Sequence, residues 1–283
     1  MEELFNTLSY TFNQRALLAA AMAGFLNGFF GAYVVLRRKA LFAGALSHTL
    51  FPGIALAALL SSINPVSALI GSVATALAVS CGAQSAARRT RTDINTVLAV
   101  LWTAAFAGGL LVLKGLNTYI NIEHYLFGNI LSVSNLDIIF IFIAGYIVCS
   151  IVILLQRKII LMAFSSDDAI AQGINVAALD YLMAGLLVIV MVTSLQAVGT
   201  ILTLGLLVAP AAIIALFVNS PRAMFWIGGI AGAALASLSL FISNALNIQT
   251  GALIVLLLGA LFCVAASVKA ILASKDTVAS CRQ

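Results

Sequence analysis

Charged residues are scarce in this sequence, and their scarcity excludes most soluble folds. Of its 283 residues, 63% are hydrophobic and only 8% are charged, whereas a soluble domain normally carries about 25% charged residues. Too little polar surface remains to cover a water-facing globule. Apolar runs of about 18 residues or more, each long enough to cross a bilayer, recur along the whole chain. The composition therefore predicts a polytopic membrane protein.

Other features that the sequence lacks restrict the classes of function that it can have. No apolar run carries an Asp or Glu near its centre, which disfavours a carrier that couples to an ion gradient through an intramembrane carboxylate. No G-x-x-x-x-G-K-[ST] phosphate loop is present, so any nucleotide hydrolysis must come from a second polypeptide. The chain itself is thus predicted not to be an enzyme. Acids rather than cations stand near the start, so no cleavable signal peptide is expected. The four cysteines form no C-x-x-C pair and are expected to be small packing residues.

The apolar runs predict an all-α bundle that forms one transmembrane domain over residues 1–283. Nine spans are predicted, with eight as the alternative. The sixth and seventh join with hardly any polar break, so they form either a tight hairpin or include a re-entrant segment. The predicted spans cover residues 15–36, 41–60, 64–82, 96–115, 136–155, 180–197, 199–218, 223–243 and 250–272.

Lysine and arginine are distributed unequally between the two sides of this bundle. One side receives only Arg15 and Lys114. The other side receives the remaining twelve of the 14 cations: Arg37, Arg38, Lys39, Arg88, Arg89, Arg91, Arg157, Lys158, Arg222, Lys269, Lys275 and Arg282. Because cytoplasmic loops are rich in Lys and Arg, the C-terminus is predicted to be cytoplasmic and the N-terminus external. The cations lie in short connections rather than in one stripe, so no nucleic-acid partner is expected.

The longest connection on the basic side contains a short helix with marked ends. Either Ser165 or Ser166 is placed to cap its first turn, and Asp167 and Asp168 follow where the helix dipole favours anions. Gly173 is placed to end the helix in the left-handed conformation. The predicted helix covers residues 166–172, ending at Gln172. It is either an ordinary surface helix or a rigid element gripped by a cytoplasmic partner.

One of the two histidines, His48, lies inside the second apolar run. At 1.5 Å per residue it is about 10–12 Å along the helix, so it is expected to face the bundle interior or a wet cavity. Imidazole is a good ligand for divalent transition metals. Ser47 and Thr49 flank it, and Pro52 is placed to bend the helix and free nearby carbonyls. The alternative is a structural histidine that is hydrogen-bonded to a neighbouring helix.

Other polar or helix-bending residues are weaker candidates. Glu123 and His124 are adjacent in the external connection 116–134, where they form either an outer metal relay or a solvated pair. Pro210 is expected to kink the seventh span, which affects either gating or only the shape of the bundle.

Four stretches together resemble the membrane permease subunits of ATP-binding-cassette (ABC) importers for zinc, manganese or iron. They are VVLRRKALFAGALSHTLFPGIALA (34–57), EHYLFGNILSVS (123–134), FSSDDAIAQGIN (164–175) and SLQAVGTILTLGLLVAPAA (194–212). The resemblance implies a two-protomer, multi-pass channel in a bacterial plasma membrane. It also implies a cytoplasmic ATPase subunit that uses ATP, an extracytoplasmic metal-binding protein, and no cofactor on this chain. Residues 164–175 would form the coupling helix that contacts the ATPase.

The sequence departs from this family at one position. The family usually carries an acid one helical turn before the histidine, where this chain has Gly44. Three explanations remain open: a partly hydrated ion in a weak site, a carboxylate from a second, non-identical permease, or a substrate that is not a free dication. We favour the second. The alternative functions are an ABC permease for a metal chelate of siderophore or cobalamin type, an ion-coupled carrier and a non-transporting membrane scaffold.

Overall fold

The computed structural model of the protein describes residues 11–60, 65–115, 133–246 and 250–280. Within these residues all regular structure is α-helical. Nine of the described helices are long and apolar enough to cross a membrane, which confirms the predicted all-α bundle. The helices are α1 (Thr11–Leu36), α2 (Ala40–Leu60), α3 (Pro65–Thr90), α4 (Ile94–Gly115), α5 (Asn135–Phe164), the short α6 (Ser166–Ala171), α7 (Val176–Val198), α8 (Thr200–Phe217), α9 (Pro221–Leu246) and α10 (Thr250–Ser280).

Helix α5 is longer than the sequence predicted. The prediction ended this span at residue 155, before the cations Arg157 and Lys158, but the helix continues to Phe164. Its added turns bury the side chains of Ile159 and Met162. Burial of apolar surface on the side that faces the bundle therefore extends the helix past its charged residues.

Helix α1 lies at the centre of the bundle and packs against α9 through glycines. A Cβ atom added to Gly28 would overlap the carbonyl oxygen of Gly228, and one added to Gly24 would overlap that of Gly232. The two backbones are therefore in direct contact. Such small-residue contacts replace hydrophobic burial as the main source of helix association in lipid. We call this contact the α1–α9 seam.

Helices α7 and α8 are joined by a single residue, Gly199, whose φ of 87° lies in the left-handed region that glycine adopts readily. Near the end of α7, Ser194 accepts a hydrogen bond from the Asn27 amide of α1 at 2.7 Å. Further along α8, the carbonyl of Leu207 lies against Gly31, which is closer to the basic end of α1. The chain thus reverses direction at Gly199. The tip of the hairpin lies level with the middle of α1.

Helix α2 packs tightly on α3 and α4 on the other side of the molecule. Gly53 of α2 and Gly71 of α3 lie backbone to backbone. Gly109 of α4 leaves no room for a Cβ against Pro52 of α2, whose Cα would lie 2.7 Å away. The α2–α3–α4 group contacts the α1–α8–α9–α10 group through α2, which touches α1 and α8, and a groove lies between the two groups.

Candidate functional site

The groove is lined by α2, α4, α8 and α10, and has a volume of about 950 Å³. It extends from Ala40 and Asn95, near the basic end of the bundle, to Thr200 at the tip of the α7–α8 hairpin. Most of its lining is aliphatic. Among the described residues that line it, none is a carboxylate, a lysine or an arginine. The groove is therefore largely apolar and reaches from the basic end to the middle of the bundle.

The imidazole of His48 is exposed within this groove. Its ring stacks on the indole of Trp102, with ring centroids 5.2 Å apart and an interplanar angle of 28°. Four residues later, Pro52 has no N–H and so cannot donate to the His48 carbonyl as a helical residue would. His48 therefore has two polar atoms of interest: a nitrogen of its ring, and a backbone carbonyl oxygen that lacks its usual helical donor.

The two residues beside His48 differ in position. Ser47 lines the groove and donates its hydroxyl proton to the carbonyl of Gly44 at 2.7 Å. Thr49 is fully buried, donates to the carbonyl of Leu46 at 2.8 Å, and is not among the lining residues. Of the three residues predicted for a metal pathway, the structure places His48 and Ser47 on the groove, whereas Thr49 is buried away from it.

Gly44 lies on the groove wall, one helical turn before His48. A Cβ atom added there would meet only Leu204, whose Cδ2 would be 3.9 Å away. A longer side chain at this position would extend into the open groove beside the imidazole. The described part of the chain holds no group of three or more His, Cys, Asp or Glu residues that could hold a metal ion.

Trp102 is a groove residue that the sequence analysis did not select. It is one of two tryptophans in the chain, and it lies in the middle of a predicted span rather than at a membrane interface, where tryptophan is enriched. This unusual position could have identified Trp102 from the sequence alone. Its pairing with His48 depends on how α2 packs against α4, which no local pattern specifies.

The predicted short helix at the basic end is present as α6, with the predicted caps. The Ser165 hydroxyl accepts a hydrogen bond from the Asp168 N–H at 3.1 Å, so Ser165 rather than Ser166 is the N-cap. Asp167 and Asp168 lie in the first turn. The helix ends at Ala171 with Gln172 as its C-cap residue.

Gly173 ends α6 in the left-handed conformation that was predicted, with φ of 76°. The N–H of Gly173 donates to the carbonyl of Ile170, and the N–H of Ile174 donates to that of Ala169, both at 2.9 Å. This pair of bonds is the Schellman arrangement. Helix α6 is therefore a well-defined single element between α5 and α7.

Of the remaining four predicted residues, the structure describes only the two prolines. Glu123 and His124 lie outside the described residues. Pro52 and Pro210 both stand within continuous helices, α2 and α8 respectively, and their effect on helix direction stays a prediction.

Comparisons with known proteins cover most of the chain. The model of the ABC 3 transport family matches residues 9–269. The manganese transport system membrane protein MntC of Halalkalibacterium halodurans is 34% identical over 259 residues, which is 91% of this chain and 87% of that protein. The chelated iron transport system membrane protein YfeD of Yersinia pestis is 31% identical over 271 residues, covering 94% of this chain and 89% of that protein. The solved structure of PsaBC from Streptococcus pneumoniae in complex with Fab has a TM-score of 0.82 at 28% identity, covering 93% of this chain and 94% of that chain.

Proposed function

The chain belongs to the ABC 3 transport family, and on that premise we propose that it is the permease subunit of an ABC importer for divalent metal ions. The candidate ions are manganese, iron and zinc, and the sequence relatives named for manganese and iron transport support the first two. A separate cytoplasmic subunit hydrolyses ATP, because this chain carries no phosphate loop. An extracytoplasmic protein delivers the metal.

The observation that carries the proposal is the single imidazole at the deep end of the groove. With the twelve-cation side in the cytoplasm, the groove opens inward, and the α7–α8 hairpin closes the far side of it. His48 then lies at the boundary between the closed and open parts of the path. Its ring nitrogen binds the ion in passing, and the adjacent carbonyl supplies an oxygen.

Alternating access follows from the position of α6. We propose that this helix contacts the ATPase and moves with it, and that α7 transmits the movement to the hairpin tip at Gly199. Ser165, Ser166, Asp167, Asp168, Gln172 and Gly173 form the contact. A shift of the hairpin tip relative to α2 opens the path beside His48 on the external side and narrows it on the cytoplasmic side.

A second permease protomer completes the channel. One imidazole is a poor exchange for the hydration shell of a dication, and none of the described residues that line the groove adds a carboxylate. We propose that the partner is a homologous, non-identical permease whose acid faces His48 across the groove. A partly hydrated ion at a weak site is the alternative for an identical pair.

The dimensions of the groove favour one second candidate, the import of a metal chelate. Ligand pockets typically have volumes of about 300–1,000 Å³ and mostly apolar linings, and this groove has both properties. A chelate carries its own ligands, so the absence of a carboxylate beside His48 would cost it little.

The test is uptake by the assembled complex. The chain is purified with the ATPase that binds it, reconstituted in proteoliposomes, and supplied with radiolabelled manganese, iron or zinc, either free or chelated. We expect ATP-dependent uptake that His48→Ala reduces by about tenfold or more, as loss of a metal-site group typically does. The control is Leu56→Ala, an exposed side chain of α2 that does not line the groove. Uptake that needs no ATPase, or that persists for every ion in His48→Ala, contradicts the proposal.

A further inference from the structure

At the basic end of the bundle a single carboxylate, Asp180, accepts bonds from three cations. Lys39 donates to Oδ1 of Asp180 at 2.9 Å, and Arg37 donates to the same oxygen at 3.4 Å. Arg88 reaches Oδ2 at 3.5 Å. The Asp180, Arg37 and Lys39 side chains are 15%, 17% and 16% exposed, whereas Arg88 is 41% exposed. We call these four residues the Asp180 junction.

The junction holds the short helix α6 as well as the spanning helices. The Arg37 guanidinium donates to the carbonyl of Met162 in the last turn of α5 at 2.6 Å. Its same nitrogen lies 3.4 Å from the hydroxyl of Ser166, the first residue of α6. Arg37 therefore bridges the start of α6 to Asp180, which lies in the second turn of α7. The two ends of the 165–175 segment are tied to one side chain.

Lys39 connects the junction to the groove. It stands immediately before α2, and its ammonium also donates to the Tyr33 hydroxyl of α1 at 3.1 Å. Gly44 and His48, which line the groove, follow on the first turns of α2. A displacement of Asp180 along with α6 therefore acts on the wall that carries the imidazole, by a route separate from the continuous helix α7.

The third cation adds α3 to the same assembly. Arg88 lies over the ring of Tyr181, with its guanidinium carbon 5.1 Å from the centroid, and the Tyr181 hydroxyl is 2.9 Å from that of Ser85. These contacts join the end of α3 to the start of α7. Arg88 thus belongs to a helix that packs on α2, and Lys39 directly precedes α2, whereas the carboxylate lies on α7.

We propose that Asp180 is the positioning residue that couples movement of α6 to the groove, by holding the α1–α2 turn to α7 through Lys39 and Arg37. The inference rests on the proposed function. Neutralising the carboxylate removes the charge attraction that holds α7 to Arg37 and Lys39. The α1–α2 turn is then no longer fixed to α7, so α6 moves with the ATPase while α2 lags behind. ATP hydrolysis continues, but fewer ions cross for each ATP.

The test compares uptake with hydrolysis in the same vesicles. The complex of this chain with its ATPase is reconstituted, and radiolabelled manganese uptake and phosphate release are measured together. We expect Asp180→Asn to lower the number of ions imported per ATP by at least about fivefold, the lower limit of typical coupling effects. Asp180→Glu restores most of that ratio, because it keeps the charge.

Two further variants keep the test decisive if Asp180→Asn does not fold. Lys39→Gln leaves Arg37 and Arg88 on the carboxylate and is expected to lower the ratio in the same direction. Arg88→Gln, which removes the longest and most exposed contact, has a smaller effect. Its matched control is Arg89→Gln, because Arg89 is an exposed neighbour in the same helical turn, and this variant leaves the ratio unchanged.

The possible outcomes distinguish a failure of this inference from a failure of the proposed function. If uptake and hydrolysis fall together so that their ratio is preserved, the junction only stabilises the fold and the inference is wrong. If the wild-type complex imports none of the tested metals, the proposed function fails first. A lowered ratio in Asp180→Asn and Lys39→Gln, with Arg89→Gln unaffected, supports the inference.

Discussion

The α1–α9 seam and the groove both contain glycines, but for opposite physical reasons. At the seam, a Cβ on Gly28 would overlap the carbonyl oxygen of Gly228, so the backbones have no space for a side chain. At the groove, a Cβ on Gly44 would meet only one side-chain atom, 3.9 Å away. Packing therefore requires glycine at the seam and does not require it at position 44. Packing in the fold therefore does not explain why position 44, beside His48, lacks a side chain.

The largest effect is expected from a side chain added at the seam. We expect Gly28→Ala to destabilise the protein by about 1–3 kcal/mol or more, the range for overpacked cores, since two backbones must separate to admit the methyl group. The measurement is the thermal unfolding midpoint of the purified protein in detergent, together with the fraction recovered as a monodisperse peak.

The matched control is Gly145→Ala. Gly145 lies in the spanning helix α5 with nothing within 4 Å of its added Cβ, so this variant is expected to match wild type or exceed it slightly. Equal stability for the two variants would show that the seam tolerates side chains and that the contrast with Gly44 does not hold.

An acid can be added at the groove, where the family usually has one. Gly44→Asp places a carboxylate one helical turn from the imidazole, where space is open. We expect it to raise the affinity of the chain for manganese by about tenfold, or ~1.4 kcal/mol, because the charge offsets part of the lost hydration. Titration of purified protein with Mn²⁺, followed by paramagnetic resonance of the free ion, measures the change.

Two controls distinguish a new site from a general gain in acidity. Gly44→Asn has nearly the same shape without the charge and should bind as wild type does. Gly44→Asp combined with His48→Ala should lose most of the gain. If the double variant binds as tightly as Gly44→Asp alone, the imidazole takes no part.

Sequence patterns were sufficient for the elements of this fold, because each element is defined by local chemistry. Long apolar runs give the spans, and Ser165 and Gly173 mark the ends of α6 where the structure has them. The end of α5 was predicted too early, since cations at positions 157 and 158 resemble a boundary unless the burial of Ile159 is known.

The groove and the Asp180 junction could not be predicted in the same way. His48 was selected as a lone polar ring in a span, but its contact with Trp102 joins residues from different helices. Lys39 and Asp180 are separated by 141 positions in the chain, and each alone resembles an ordinary residue at a span boundary. Both sites depend on which helices are neighbours, and composition and spacing do not determine that.

At Gly173 a glycine is favoured for a third reason, which is its backbone conformation rather than a lack of space. No atom lies within 4 Å of its added Cβ, yet its φ is 76°. We expect Gly173→Ala to destabilise the end of α6 by roughly 1 kcal/mol, the lower limit for a side chain in the left-handed region. In this variant, hydrogen exchange of the amides at positions 173 and 174 should accelerate while the spanning helices keep their protection. Unchanged exchange at both amides would mean that the Schellman turn tolerates alanine.

The smallest effect is expected at Gly44 itself, when the added side chain carries no charge. Gly44→Ala places a methyl group in open space and removes some of the conformational freedom of the unfolded chain, so it should stabilise α2 by about 0.5–1 kcal/mol. Manganese affinity should stay at the wild-type level, because the methyl group supplies no ligand. The same melting and titration measurements apply. A clear loss of stability would show that another part of the molecule approaches position 44 closely. In that case the glycine would be required by packing, as at the seam.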